Sequence, residues 1–116
     1  MAVNNIFFVS WNRPVAGKEA IAFEHFNQCI SFLGKQQTAG HIESYEPALL
    51  DYRGGEMNGF IIIRGDRARI MNMCASEEWM DLAARASCLV TNFSAVFGEV
   101  NDAMKNRMVR FVKMAR

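Results

Sequence analysis

The sequence predicts an α+β fold in which four strands alternate with three helical regions. One supporting observation is a short apolar run at residues 60–63, flanked by Gly59 and Gly65, which is rich in β-branched residues and too short for a helix. This run indicates a strand buried on both faces. A second observation is that Asp66 and Ser76 stand where helix N-caps are expected, ahead of residues with helical spacing. We therefore expect a central strand followed by a broken helix.

Length, composition and charge limit the possible classes of protein. The 116 residues are enough to bury roughly two thirds of the unfolded surface, so we expect one domain over residues 1–116. Hydrophobic residues make up 51%, which excludes disorder, and no apolar run is long enough to span a bilayer. The net charge of +1 gives no general attraction to nucleic acid. The amino terminus lacks the basic segment of a secretory signal, so a cytoplasmic location is expected.

A first strand and a long helix are predicted at the start of the chain. Residues 6–11 form an apolar run that is typical of a strand. The first helix is expected from about Val15 to Leu33, ending at Gly34, because glycine is common just after a helix. One broad half of this helix is apolar: Ile21, Ala22, Phe23, Phe26, Cys29, Ile30, Phe32 and Leu33.

A second extended segment is predicted between this helix and the central strand. It covers residues 41 to about 53 and contains Pro47, which places it at a sheet edge because proline lacks the N–H that a ladder needs. Residues 53–56 include two glycines and predict the turn of a β-hairpin. The hairpin therefore joins an edge strand to the strand at residues 60–63.

The rest of the chain predicts two helical regions separated by a strand. A short helix is predicted over residues 67–73, and a second helix is predicted to start after Ser76. Residues 93–98 are predicted to form the fourth strand. A final helix starts at about Asn101. Its apolar stripe contains Val100, Met104, Met108, Phe111, Val112 and Ala115. The resulting order, βαββαβ with an extra helix, is the split βαβ arrangement, in which the first and third strands are central.

This order of elements resembles the dimeric α+β barrel superfamily. The resemblance covers nearly the whole chain and implies a ferredoxin-like fold with an antiparallel sheet, a homodimer, and a cleft between sheet and helices. Members include cofactor-independent monooxygenases, haem-degrading enzymes and lactone isomerases, so the fold alone leaves the function open. The haem-degrading branch uses an Asn, Trp and His set. Trp11 and Asn12 are present, but no histidine lies on the later helix, and that activity is not carried over.

Two residues are candidates for catalysis. His25 lies on the apolar half of the first helix and could act as a general base, since histidine ordinarily titrates near neutral pH; the alternative is a buried, hydrogen-bonded histidine. Arg64 extends one face of the central strand, where a charge is costly unless it is paired. It could hold an anionic oxygen. It could instead form a salt bridge with Asp66, Glu43 or Glu99.

Four further residues are candidates for ligand binding. Ser10 and Trp11 end the first strand, Tyr45 lies on the edge strand, and Met71 lies near the start of the broken helix. Aromatic rings and flexible methionines are common in apolar pockets, although core packing is the alternative for each. Two histidines without a paired carboxylate motif predict no metal site, and no cofactor is expected.

The three cysteines show no metal-binding or redox spacing. Cys29, Cys74 and Cys88 lie in predicted helices among apolar neighbours, and we expect them to be buried reduced thiols.

Three hypotheses for function follow. The first is a dimeric protein that binds a small apolar or anionic molecule in the cleft. The second is a cofactor-independent enzyme of the monooxygenase or isomerase kind, with His25 as base and Arg64 as anion holder. The third is a protein-interaction module that docks through basic residues of the final helix: Lys105, Arg107, Arg110, Lys113 and Arg116.

Overall fold

The computed structural model describes residues 3–51 and 54–116, which form four strands and four helices. In chain order these are β1 (Asn5–Trp11), α1 (Glu19–Thr38), β2 (Ser44–Leu49), β3 (Gly59–Gly65), α2 (Arg67–Cys74), α3 (Glu77–Leu89), β4 (Ser94–Glu99) and α4 (Asn101–Met114). The strands form one antiparallel sheet in the order β2-β3-β1-β4. The predicted α+β fold with βαββαβ order is confirmed.

One face of the sheet carries the hydrophobic core. Side chains alternate between the two faces of a strand, so every second residue of β1 and β3 points to the same side. On this side the strands pack against residues of α1 and α2. The buried core consists of Phe7, Val9, Phe32, Leu33, Ile42, Ile61, Ile63, Ile70 and Met73. Trp79 and Leu82 of α3 pack against its edge.

The other face of the sheet also carries apolar side chains. We call it the open sheet face, and it includes Ile6, Phe8, Phe60, Ile62 and Val96. Phe8 stands directly opposite both Ile62 and Val96 in the ladder. The core described above takes none of its members from this face, and Val96 is 53% exposed. The sheet is therefore covered by helices on one side only within the described chain.

The two predicted helix caps are confirmed. The Asp66 carboxylate accepts a hydrogen bond from the backbone N–H of Arg69 at 3.1 Å, and the Ser76 hydroxyl accepts one from Trp79 at 3.2 Å. Each bond satisfies one of the amides left unpaired in the first helical turn. The break between α2 and α3 is thus set by a local side-chain signal.

The predicted end of the first helix at Gly34 is wrong. The helix continues four residues further, to Thr38, and the residue with positive φ that follows it is Gly40 (φ +82°). There the N–H of His41 donates to the carbonyl of Gln36 at 2.9 Å, in the Schellman arrangement that closes many helices. A glycine inside a helix and one just after it look alike in sequence, so the sequence alone does not distinguish Gly34 from Gly40.

The predicted start of this helix is also wrong. It begins at Glu19 rather than Val15, because the N–H of Val15 donates to the carbonyl of Leu89 at 2.8 Å and ties this segment to the end of α3. Ile21 and Phe23, predicted on the buried half of the helix, are exposed.

The second strand is shorter than the predicted extended segment. β2 contains Pro47 and lies at the edge of the sheet, as predicted. The predicted hairpin turn begins at Arg53, which lies outside the described residues, while Gly54 and Gly55 both have positive φ.

Gly59 and Gly34 offer a matched test of packing in this fold. A Cβ at Gly59 would lie 2.6 Å from Cζ2 of Trp11, whereas one at Gly34 would lie 3.4 Å from the Tyr45 hydroxyl. We expect Gly59→Ala to lower the free energy of unfolding by about 1–3 kcal/mol, because the indole must move. Gly34→Ala should raise it by about 0.5–1 kcal/mol, because alanine favours a helix interior. Urea unfolding at one protein concentration measures both, and equal effects would contradict this packing.

Candidate functional site

A deep cleft of about 920 Å³ lies between α1, α3 and the core side of the sheet. Its walls are mostly apolar and come from both helices and both central strands. Val9 and Ile61 form the floor, while Phe26, Leu82 and Val90 belong to the sides. A concave, largely apolar cavity of this size is the usual form of a small-molecule site.

Trp11 forms part of the wall at the end of β1. Its ring meets Phe26 of α1 edge to face, with ring centroids 5.8 Å apart. The indole also covers Gly59 on the neighbouring strand, where a side chain would collide with it. The absence of a side chain at Gly59 therefore fixes where this wall of the cleft lies.

His25 is the most buried polar residue of the cleft, with 5% of its surface exposed. Its Nε2 lies 2.9 Å from the carbonyl oxygen of Leu82 on α3. A carbonyl only accepts hydrogen bonds, so Nε2 must carry the proton and donate it. In the neutral ring the lone pair then lies on Nδ1, which is buried and has no hydrogen-bond partner among the described residues.

Cys29 lies one helical turn after His25, with its Sγ 3.5 Å from Nε2 of that ring. Burial raises the pKa of the Cys29 thiol to about 11, and burial likewise raises the pKa of Cys74 to about 11. Both are protonated at neutral pH and are poor nucleophiles in that form. Cys88 is exposed, so its predicted burial is wrong; it lies on the outer face of α3.

The mouth of the cleft combines exposed apolar side chains with a polar rim. Phe23 and Leu49 line it and are 64% and 78% exposed. On the rim, the Asn58 side-chain amide donates to the side-chain oxygen of Asn12, and Arg13 lies nearby on the lining. Of these residues, the sequence predicts a role for Phe23 only in packing of the first helix, and none of them is among the predicted site residues. Leu49 in particular carries no signal beyond its place at the end of an edge strand.

Arg64 lies on the open sheet face, away from the cleft. Its neighbour Ile63 points into the core, so the alternation of the strand turns Arg64 to the opposite side. The guanidinium pairs with Glu46 at 3.1 Å, not with any of the three carboxylates predicted. Glu46 lies on β2 opposite Ile62 of β3, which is two residues before Arg64 on the same strand. A single subunit therefore does not bring His25 and Arg64 together.

The other predicted ligand-binding residues are dispersed. Ser10 is buried in the sheet between Phe60 and Ser94, on the side that faces away from the cleft. Tyr45 packs on the core side near α1, and Met71 is exposed on α2. Of the predicted site residues, the cleft lining includes His25 and Trp11.

The part of the chain that the structure describes, residues 3–51 and 54–116, contains no cluster of three or more His, Cys, Asp or Glu side chains able to hold a metal ion. It also contains no helix that is both long and apolar enough to cross a membrane.

The three thiols should differ in their reaction with iodoacetamide. A pKa raised from 9.0 to about 11 lowers the thiolate fraction of Cys29 and Cys74 at pH 8 about 100-fold. Cys88 is exposed and should be modified first, with the other two following far more slowly and accelerating about tenfold per pH unit up to pH 10. Peptide mass spectrometry over time measures this order. Equal rates at all three positions would contradict the partial burial of Cys29 and Cys74.

No protein-family model and no curated protein matches this chain. Solved structures are similar to it in fold, at low sequence identity. A dimeric protein of unknown function with a ferredoxin-like fold, from Bacteroides fragilis, has a TM-score of 0.62 and 12% identity, over 84% of this chain and 96% of that chain.

Two further structures agree with that likeness. A dimeric ferredoxin-like protein of unknown function from Thermobifida fusca has a TM-score of 0.58 and 13% identity, over 84% of this chain and 92% of that chain. A hydroxynitrile lyase from Passiflora edulis has a TM-score of 0.60 and 12% identity, over 84% and 94%. The predicted resemblance is therefore confirmed as a likeness of fold: this chain has the ferredoxin-like α+β fold of these proteins.

Proposed function

We propose that this chain binds a small, largely apolar molecule in the cleft between α1, α3 and the sheet, and that it does so as a homodimer. The observation that carries the proposal is the cavity itself. Its volume of about 920 Å³ falls in the range of small-molecule sites, and its walls are mainly aliphatic and aromatic. Burial of apolar ligand surface there contributes about 25 cal/mol per Å².

The distribution of polar groups suggests how such a ligand lies. The inner walls carry His25 and Cys29, and these two already interact with each other and with Leu82. Further polar groups lie at the mouth, where Asn12, Asn58 and Arg13 are found. A molecule with an apolar body and a polar or anionic end fits this arrangement, with its polar end at the rim.

The homodimer is proposed from the open sheet face. Phe8, Ile62 and Val96 stand side by side on it, and no helix of the described chain is part of a core on that side. Two of the structurally similar proteins are themselves described as dimeric. Contact between two such faces would remove the apolar side chains from water, which is the main driving force for association. A cytoplasmic setting is proposed with it, since the three cysteines are unpaired.

A second candidate function is a cofactor-independent enzyme with His25 as general base. The position of His25 in the cleft favours it, and the hydroxynitrile lyase shows that this fold can support an enzyme. The lone pair on Nδ1 is out of contact with solvent, so the ring would have to turn before it took a proton. Arg64 would act only from the opposite face of the sheet. We therefore place ligand binding first.

Ligand binding can be tested by filling the cleft. Ala83 lines the cleft, whereas Ala84 is exposed on the outside of the same helix. Ala83→Phe is expected to raise the dissociation constant of the neutral fluorescent probe N-phenyl-1-naphthylamine at least tenfold, because the new ring occupies the ligand's space. Ala84→Phe should leave it within a factor of two. The readout is fluorescence titration, and equal binding by all three proteins would contradict a site in the cleft.

The homodimer can be tested at Val96. Val96→Glu places a charge on the open sheet face, on the edge strand β4 beside Phe8, where desolvation in an interface is costly. We expect the dissociation constant of the dimer to rise at least 100-fold. Ser31→Glu adds the same charge on the exposed side of α1 and should have no effect. Sedimentation equilibrium measures the constant, and native mass spectrometry of fresh protein reports both the dimer and any retained molecule. A dimer unchanged by Val96→Glu would show that its interface lies elsewhere.

A further inference from the structure

The C-terminal helix α4 presents an apolar stripe that nothing in the described chain covers. We define the α4 stripe as Val100, Met104, Met108, Phe111 and Val112, which recur at helical spacing. No residue of α4 is buried, and the large apolar side chains of the helix are 45–71% exposed. A lone helix of this length is marginally stable in water. The helix therefore gains much of its stability only when the stripe packs on a surface.

The direction of α4 is nevertheless fixed by contacts with the sheet. Asn101 adopts a positive φ of 54°, and its side-chain amide donates to the carbonyl of Val3 at 2.6 Å. The N–H of Val100 donates to the carbonyl of Asn4 at 2.9 Å, and Arg107 forms an ion pair with Glu99. The orientation of α4 is thus fixed although its apolar side chains do not pack on their own subunit, which leaves them available to a partner.

The α4 stripe continues the open sheet face. Val96 belongs to that face, and the alternation of β4 turns Gly98 and then Val100 to the same side. Val100 keeps an extended backbone, with φ −133° and ψ 169°, and is the residue from which the stripe starts. The sheet face and the stripe are therefore joined along the chain at Gly98 and Val100.

The α4 stripe adds substantially to the apolar surface available for association. Its side chains Met104, Met108, Phe111 and Val112 are 45–58% exposed and leave roughly 100 Å² each, so the stripe offers on the order of 400 Å². Added to the open sheet face, this brings the apolar surface toward the roughly 800 Å² per partner of a standard interface. Patches of this extent are uncommon on monomers.

The charges point to a second copy of the same chain as the partner. Residues 101–116 contain five basic side chains and one acidic, a net charge of +4. Residues 1–100 contain eight basic and eleven acidic side chains, a net charge of −3. The helix of one subunit and the body of another therefore carry net charges of opposite sign, which favours their contact, and the same contact occurs twice in a symmetric dimer.

We propose that α4 clasps the second subunit, with the α4 stripe packed on the partner's body beside the open sheet face. The proposal rests on the homodimer proposed above and adds a second contact to it. In this arrangement the apolar stripe makes the contact with the partner, and the basic side chains of α4 add electrostatic attraction. The proposal therefore differs from the hypothesis that the helix docks through its basic residues alone.

The test compares two substitutions on the same helix. Met108→Glu places a charge in the middle of the α4 stripe, and Asn106→Glu places the same charge on the opposite, exposed side. Both positions are exposed within the subunit, so both variants should fold, which circular dichroism checks. We expect Met108→Glu to raise the dimer dissociation constant at least tenfold in sedimentation equilibrium, and Asn106→Glu to change it less than threefold.

The outcomes separate this proposal from the homodimer itself. A wild-type dimer that Val96→Glu weakens and Met108→Glu leaves unchanged would overturn the clasp and leave the sheet interface standing. A wild-type protein that is monomeric at all concentrations would overturn both. Lysine cross-linking of a mixture of ¹⁴N- and ¹⁵N-labelled protein adds a direct readout: links from Lys105 or Lys113 to body lysines of the other label support the clasp, and links confined to one label overturn it.

Discussion

The pairing of β1 with β3 determines which side chains of the sheet face the core and which face the open side. Phe7 stands opposite Ile63 and both point into the core, while the next pair, Phe8 and Ile62, points to the open sheet face. Because the side-chain period of a strand is two, a shift of one residue would exchange the two sets. The register is held by burial on the core side, where Ile63 is completely inaccessible to solvent. The cleft and the open face are therefore both consequences of one ladder.

The contact between His25 and Leu82 has a comparable role for the two helices. It joins α1 to α3 across the cleft, so the separation of the walls depends on one hydrogen bond of 2.9 Å as well as on packing. Using Nε2 in this way leaves Nδ1 without a partner, and an unsatisfied buried acceptor costs about 1–3 kcal/mol. The protein accepts this cost at the deep end of an otherwise apolar cavity. The contact seen for His25 is therefore a structural one that holds the two walls of the cleft together.

What could be predicted from sequence was local, and what could not be predicted depended on neighbours distant in the chain. The caps Asp66 and Ser76 act on amides three residues away, so their roles were visible in the sequence. The end of α1 could not be predicted in this way. Gly34 lies inside the helix and Gly40 follows it, and the difference depends on tertiary contacts that the sequence does not show. For the site, His25 and Trp11 were found. Arg64 was given a role beside His25 that the alternation of β3 does not allow within one subunit.

The one-sided covering of the sheet also explains why the two proposed activities are separable. α1, α2 and α3 contribute to the core side, where the cleft lies, whereas α4 leaves the end of β4 in a direction set by Asn101 and does not fold back over Phe8 or Ile62. On the proposals above, ligand binding belongs to the cleft side of the sheet and association to the open sheet face. The two faces share the same backbone but no side chain, and neither Val96 nor Met108 lines the cleft.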